Sequence, residues 1–205
     1  MKERPILFSA PMVRAILADR KTQTRRLLNV QDEQLTTLTE LGVIQKIAVG
    51  FGEGARWLPF KYGTVGDRLW VKETWKAGIG WDNCKPTDIG IGACLQFAAD
   101  GKARCADDFD FQDQVSWGKT RTPLFMRRWM SRITLEITAV RVERLQAITE
   151  ADAEAEGVDF LRHHPDSDET LTAVQLYKVL WEWINGEGSW ALNPWVWIIE
   201  FRRLA

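Results

Sequence analysis

The sequence predicts an α+β fold, a strand-dominated core flanked by short helices, and three observations carry that prediction. Residues 132–142 (RITLEITAVRV) alternate, with Ile133, Leu135 and Ile137 on one face and Thr134, Glu136 and Thr138 on the other, the period of a half-buried strand. Residues 194–203 (PWVWIIEFRR) are dense in aromatic and β-branched side chains, which suit a pleated surface. Between such runs lie segments with apolar residues at helical spacing, opened by Ser or Thr and closed by Gly. At 205 residues the chain has the length of one well-filled domain, and one elaborated domain over 1–205 is the reading.

In chain order, residues 5–9 (PILFS) form a short strand. Ser9 then caps a helix running to Asp19, with Pro11 tolerated in its first turn and Met12, Val13, Ile16 and Leu17 as the buried stripe. Gly66-Asp67 makes a turn into a strand through Leu69 and Val71 to Glu73. Thr149 caps a short helix that stops at Gly157, a residue suited to the left-handed stop position. Leu171, Val174, Tyr177, Trp181 and Ile184 mark a further helix closed by Asn185-Gly186. Two stretches, at about 28–63 and 77–119, are rich in Gly and polar residues with weak periodicity. They read as insertions decorating the core.

Composition narrows the class. The chain is 45% hydrophobic and 27% charged, which argues against disorder and against a disulfide scaffold. No apolar run reaches bilayer length and residues 1–5 are charged, so a cytoplasmic protein without membrane contact is expected. The net charge of −1 excludes a bulk polyanion binder but not a local basic groove. Cations do cluster: residues 1–26 and 119–144 each carry seven, against two acids apiece, whereas residues 150–169 are acidic. Side by side, the two basic segments would make one positive face; apart, they are solvated surface. The odd set Cys84, Cys94 and Cys105 reads as free thiols, and its spacing with His163 and His164 matches no structural zinc pattern. No metal or other cofactor is expected.

Chemistry concentrates in three places. Arg20-Lys21-Thr22-Gln23-Thr24-Arg25-Arg26 follows the first helix. Lysine is a base only where burial or neighbouring cations lower its pKa, and Arg20, Arg25 and Arg26 are such cations. Lys21 and Thr24 can serve as base and nucleophile if a turn extends through Lys21, because residues three apart on a strand face opposite ways. The cluster reads equally as a phosphate-binding loop or as cations stabilising a helix C-terminus. Glu156 lies at the end of the helix after Thr149, where the helix dipole disfavours a carboxylate and suits a proton donor; an exposed helix acid is the alternative. Trp70, Trp75 and Lys72, on or beside the strand after Gly66-Asp67, are candidates for a base-stacking surface or for packing. No phosphate-cradling glycine loop or serine-hydrolase elbow is present.

Those places together resemble the ASCH family of the PUA-like superfamily. The motif is Ile16-Leu17-Ala18-Asp19-Arg20-Lys21-Thr22-Gln23-Thr24-Arg25-Arg26, followed by Gly66-Asp67-Arg68-Leu69, Ile148-Thr149-Glu150, Glu156-Gly157 and the run from Trp195 to Phe201. The ends RPILFSAPMVRAIL and NPWVWIIEF are similar to those of larger ASCH proteins of bacteriophages and prophages. Asp19 stands where the motif usually has Gly, and Arg25 where an apolar residue is common. The resemblance implies a small mixed β-barrel flanked by helices. It also implies the chemistry of bacterial N4-acetylcytidine amidohydrolases, with Lys21 as base, Thr24 as nucleophile and Glu156 as proton donor. Arg26 matches the motif's Arg, and Arg20, Thr22, Arg25, Trp70 and Lys72 are candidates for substrate or nucleic-acid contact. The expected partner is a small nucleoside or base. Other members are regarded as RNA binders, and ribonuclease activity has been attributed to some, so binding of RNA or single-stranded nucleic acid is the alternative.

Overall fold

The computed structural model of the chain describes residues 1–29, 35–40, 43–49, 56–58, 60–105, 115–162 and 170–204. The chain opens with β1 (Glu3–Leu7), α1 (Ala10–Leu17) and β2 (Gln23–Leu27), followed by β3 (Leu35–Glu40), β4 (Val43–Val49) and β5 (Arg56–Leu58). Next come β6 (Arg68–Lys72), β7 (Trp75–Ala77), β8 (Leu95–Phe97) and β9 (Ala103–Arg104). The remainder is β10 (Thr134–Arg144), α2 (Glu150–Ala155), α3 (Ala173–Asn185) and β11 (Trp195–Arg203). No helix among the described residues is long and apolar enough to cross a membrane.

The expected α+β class is present. Five strands form the main sheet in the order β1-β6-β10-β11-β2, with β1 parallel to β6 and the other pairs antiparallel. The closed barrel is not found among the described residues, because β1 and β2 remain edge strands. The chain crosses between them through α1, and a side chain spans the gap: Arg26 Nη2 donates to Leu7 O at 2.6 Å. β10 alternates as its sequence predicts until a register shift between Ile137 and Ala139. Beyond that bulge burial moves from the odd positions Leu135 and Ile137 to the even Val140. On β11 the consecutive residues Val196, Trp197, Ile198 and Ile199 are all buried, as in a strand covered on both faces.

Helix ends differ from the sequence reading in detail. α1 stops at Leu17 rather than Asp19, which adopts a left-handed conformation with φ 54°. Ser9 holds the N-cap position without a side-chain bond. Leu17 is half-buried, and the small Ala15 takes its place in the stripe. α2 is capped as expected, the Thr149 hydroxyl accepting from Asp152 N at 3.1 Å. In α3 the cap is Thr172, and the buried face runs through Leu176, Tyr177, Leu180 and Trp181 while Ile184 is exposed.

Both stretches read as irregular insertions contain sheets. β3, β4 and β5 form an antiparallel meander, consistent with the Thr, Val and Ile content of LTTLTE and VIQKIAV. β7, β8 and β9 form a second meander over a separate apolar cluster that includes Trp75, Leu95, Phe97, Met126 and Met130. Trp75 is fully buried there, which removes it from the stacking candidates.

Two of the three cysteines are not free thiols. β8 pairs with β9 at Leu95↔Arg104, so antiparallel register sets Cys94 opposite Cys105, 4.1 Å apart at Cα and joined as a disulfide, while Cys84 stays free. That bridge also withdraws two sulfurs from any zinc set; His163 and His164 lie outside the described residues. The bridge closes a sequence separation of 11, so reducing it is expected to cost up to about 3 kcal/mol by loop entropy. Urea unfolding with and without reductant measures this, and Cys84→Ser should show the same difference.

Candidate active site

The site is built where α1 ends and α2 ends. After Leu17 the backbone N–H groups of Arg20 and Lys21 both donate to Ala15 O, at 2.9 and 3.1 Å. This turn, with Asp19 left-handed at its corner, carries the chain through Lys21 and sends its side chain inward. Lys21 and Thr24 are both buried and both line one pocket. α2 arrives from the other side and stops because Gly157 is left-handed, φ 76°. A Cβ on Gly157 would lie 2.9 Å from the Cβ atoms of Ala15 and Lys21, so only glycine allows this approach.

The unpaired carbonyls at the end of α2 are met by the turn after α1. Thr22 N donates to Ala155 O at 2.9 Å. Lys21 Nζ donates to Glu156 O at 2.8 Å, to Glu156 Oε2 at 2.8 Å and to Gln23 O at 2.7 Å. An ammonium has three protons, and each has an acceptor here. Lys21 is therefore the cation at a helix C-terminus, as one reading of the sequence allowed, but the helix is α2 rather than α1.

Glu156 Oε1 faces Arg25 Nη1 at 3.3 Å, and Arg25 Nη2 lies 3.4 Å from Asp152 Oδ2. Arg141 Nη2 meets Asp152 Oδ1 at 3.0 Å and carries the chain of charges outward to Glu143 and Glu200. The carboxylate disfavoured by the dipole of α2 is thus compensated by two buried cations. Burial is the largest influence on Lys21 and pulls its pKa below the ordinary lysine value; the charge and hydrogen bond of Glu156 oppose this, and Arg26 and Arg25 add to it. A proton moving from Nζ to Oε2 along the 2.8 Å bond would leave a neutral amine beside a neutral carboxylic acid, a base and an acid made in one step.

The pocket, of about 480 Å³, has a polar end formed by Lys21, Thr24, Arg25, Arg26 and Glu156. Its apolar and aromatic lining includes Phe8 and Met12, with Tyr177, Leu180 and Trp181 from α3. Arg26 and Lys21 stand over the Phe8 ring at 5.2 and 5.6 Å, and Arg25 lies 5.9 Å from the Tyr177 centroid. The buried N–H groups Arg25 Nε, Arg26 Nε and Trp181 Nε1 have no acceptor among the described residues. Burial, and then the charge of Glu156, raise the Tyr177 phenol well above its ordinary value.

Other residues singled out in the sequence lie elsewhere. Arg20 is exposed and paired with Asp159. Thr22 is exposed, with its backbone engaged at both ends, to Ala155 O and Phe201 N. Trp70 and Lys72 line a different groove, beyond Pro123. The two basic segments touch where Arg128 pairs with Glu3, and several of their cations have partners within the chain: Arg14 on Ala99 O, Arg132 on Glu73 and Asp100, Arg141 on its three carboxylates. Sequence reasoning missed Phe8, Thr74, Pro123 and Asn185 as pocket residues. Tyr177 and Trp181 carried a signal, their i,i+4 spacing, but it read as core packing.

No protein-family model, curated protein or solved structure matches the chain.

Above its ordinary value of 10.0 Tyr177 ionises in the unfolded chain and stays protonated in the folded one. The folded state then binds more protons, and stability falls with rising pH by up to about 1.4 kcal/mol per unit from this group. Tyr177→Phe is expected to remove that part of the slope, as measured by urea unfolding from pH 9 to 11. Gly157→Ala is expected to lower stability by about 1–3 kcal/mol and to shift the amide signals of Lys21 and Ala15, checked by denaturation and NMR.

Proposed function

We propose that the chain is an ASCH-like amidohydrolase that cleaves the acyl amide of N4-acylated cytosine compounds, with N4-acetylcytidine as the reference substrate. The observation that carries the reading is the meeting of Lys21, Thr24 and Glu156 in one pocket, with Lys21 and Glu156 in hydrogen-bond contact at 2.8 Å. On this reading the open five-stranded sheet is a PUA-like barrel left unclosed between β1 and β2. The pocket's volume suits a small molecule, and its aromatic walls suit a planar base.

The reaction starts from the neutral pair. Lys21 Nζ turns the lone pair freed from Glu156 to the Thr24 hydroxyl and takes its proton as Oγ1 attacks the amide carbonyl carbon. Arg26, whose Nε has no acceptor among the described residues, stabilises the oxyanion. Glu156 gives its proton to N4 as the C–N bond breaks, leaving cytidine, an acyl-Thr24 ester and the restored ammonium–carboxylate pair. Water then attacks the ester with Glu156 as base, and Thr24 leaves with a proton.

The test is release of cytidine from N4-acetylcytidine by purified protein. Thr24→Val removes the nucleophile while keeping the shape, and is expected to lower turnover at least about 100-fold with an unchanged melting curve. Lys21→Ala and Glu156→Ala abolish turnover too, but each strands a buried charge at a cost of about 3–5 kcal/mol, so their folding must be checked beside activity. A folded wild type inert on acetyl, propionyl and benzoyl amides of cytidine sinks the reading.

A further inference from the structure

Amide cleavage employs the groups that the turn after α1, β2 and α2 bring to the polar end of the pocket, and leaves the α3 side without a task. That side carries one group that a packing role does not explain. Trp181 lines the pocket and is 4% exposed, and its indole Nε1 has no acceptor among the described residues. A buried N–H left unpaired is costly, and folded proteins pair the great majority of them. Phe or Leu at this position would fill the same apolar stripe of α3 without that cost.

The indole is also held still. Its ring lies 6.2 Å from that of Tyr177, which in turn meets Trp190 edge to face at 6.4 Å. Asn185 Nδ2 donates to Trp181 O at 3.0 Å, which closes the last turn of α3 beside the pocket. A donor fixed before its ligand arrives loses little freedom on binding. Two other side chains lining the pocket carry buried N–H groups without acceptors among the described residues, Arg25 and Arg26. Both follow Thr24 directly on β2, beside the reacting amide, whereas Trp181 stands on α3, with the Tyr177 ring adjoining both it and Arg25. The unpartnered buried groups that line the pocket are thus all donors, and a ligand there must supply acceptors.

On an N4-acylated cytosine the reacting atoms are N4 and the acyl carbonyl, and two further acceptors lie along the ring edge, N3 and O2. N3 adjoins the carbon that bears the amide, and O2 is the acceptor farther from it. The donors of β2 serve the amide, which leaves the farther acceptor for the donor of α3. We propose that Trp181 is a specificity-determining residue whose indole N–H donates to O2 of the pyrimidine. The base itself comes from the amidohydrolase reading, on which this contact rests. The contact also decides what the pocket turns away. An N6-acylated adenine has the same amide beside a ring nitrogen but a C–H where cytosine has O2, so it would leave the indole N–H buried and unpaired.

The experiment compares N4-acetylcytosine with 4-acetamidopyrimidine, which lacks the 2-oxo group. The wild type is expected to favour the cytosine compound at least about tenfold in kcat/KM. Trp181→Phe keeps an aromatic face and removes the N–H. It is expected to raise KM for N4-acetylcytosine about tenfold at unchanged kcat, because the bond is made in ground and transition state alike. The same variant should handle 4-acetamidopyrimidine as the wild type does, and its melting curve checks folding. A second readout needs neither turnover nor a variant: the assigned indole N–H signal of Trp181 in the wild type is expected to move downfield on adding cytosine and to stay in place with 4-aminopyrimidine. A signal unmoved by cytosine, equal movement with 4-aminopyrimidine, or a folded variant that loses turnover of both amides alike overturns the proposal. A signal moved by cytosine in a protein inert on N4-acetylcytosine would sink the catalytic reading and leave this contact standing; turnover with an unmoved signal would do the reverse.

Discussion

One buried contact organises this structure: the Lys21 ammonium seated on the C-terminal end of α2. It satisfies a helix carbonyl, a helix carboxylate and the Gln23 carbonyl of its own chain at once. Without it the Glu156 carbonyl would lose this donor and the Glu156 carboxylate would keep only Arg25 as a cationic partner. With it, the turn after α1, the start of β2 and the end of α2 are fixed relative to one another. Gly157 is the counterpart of that seat, because only a residue without Cβ lets the two backbones close on the lysine stem.

Such a pair is a poor device for stability alone. Taking both charges from water costs several kcal/mol per ion, which their attraction roughly offsets. What the arrangement supplies is position: it holds the turn after α1 against the end of α2. Burial lowers the pKa of Lys21 while the charge and hydrogen bond of Glu156 oppose the shift. The charge chain through Arg25, Asp152 and Arg141 then steadies the carboxylate from its far side. Lys21, Arg25 and Glu156 are themselves buried, which strengthens the charge contacts among them.

Much of this was legible in the sequence where local rules act alone. The alternation of β10, the Thr149 cap, the Gly157 stop and the apolar β11 all follow from residue order. The motif from Arg20 to Arg26 also announced its polar cluster, and the required turn through Lys21 could be stated as a condition. What could not be read depends on register or on distant packing. The bulge at Ile137/Ala139 and the Cys94–Cys105 pairing are set by how strands align, which composition does not encode. Tyr177 and Trp181 sit on the buried face of α3 like core residues, and only the placement of α3 against β2 turns that face into a pocket wall. The meander of β3 to β5 was hidden because its strands are short and interrupted by polar residues.

The strand order carries a consequence for how the molecule comes into being. β2 bears Thr24, Arg25 and Arg26, yet its ladder partner is β11, the final strand described. Lys21 and its seat at Glu156 are 135 residues apart in the chain. During synthesis, then, Lys21 and Thr24 are made well before Glu156, α3 and β11, the parts they come to lie against. A chain that has not yet reached α3 and β11 has no strand to dock β2 and no helix to wall the pocket. The pocket is assembled only when β11 docks on β2 and α3 walls it.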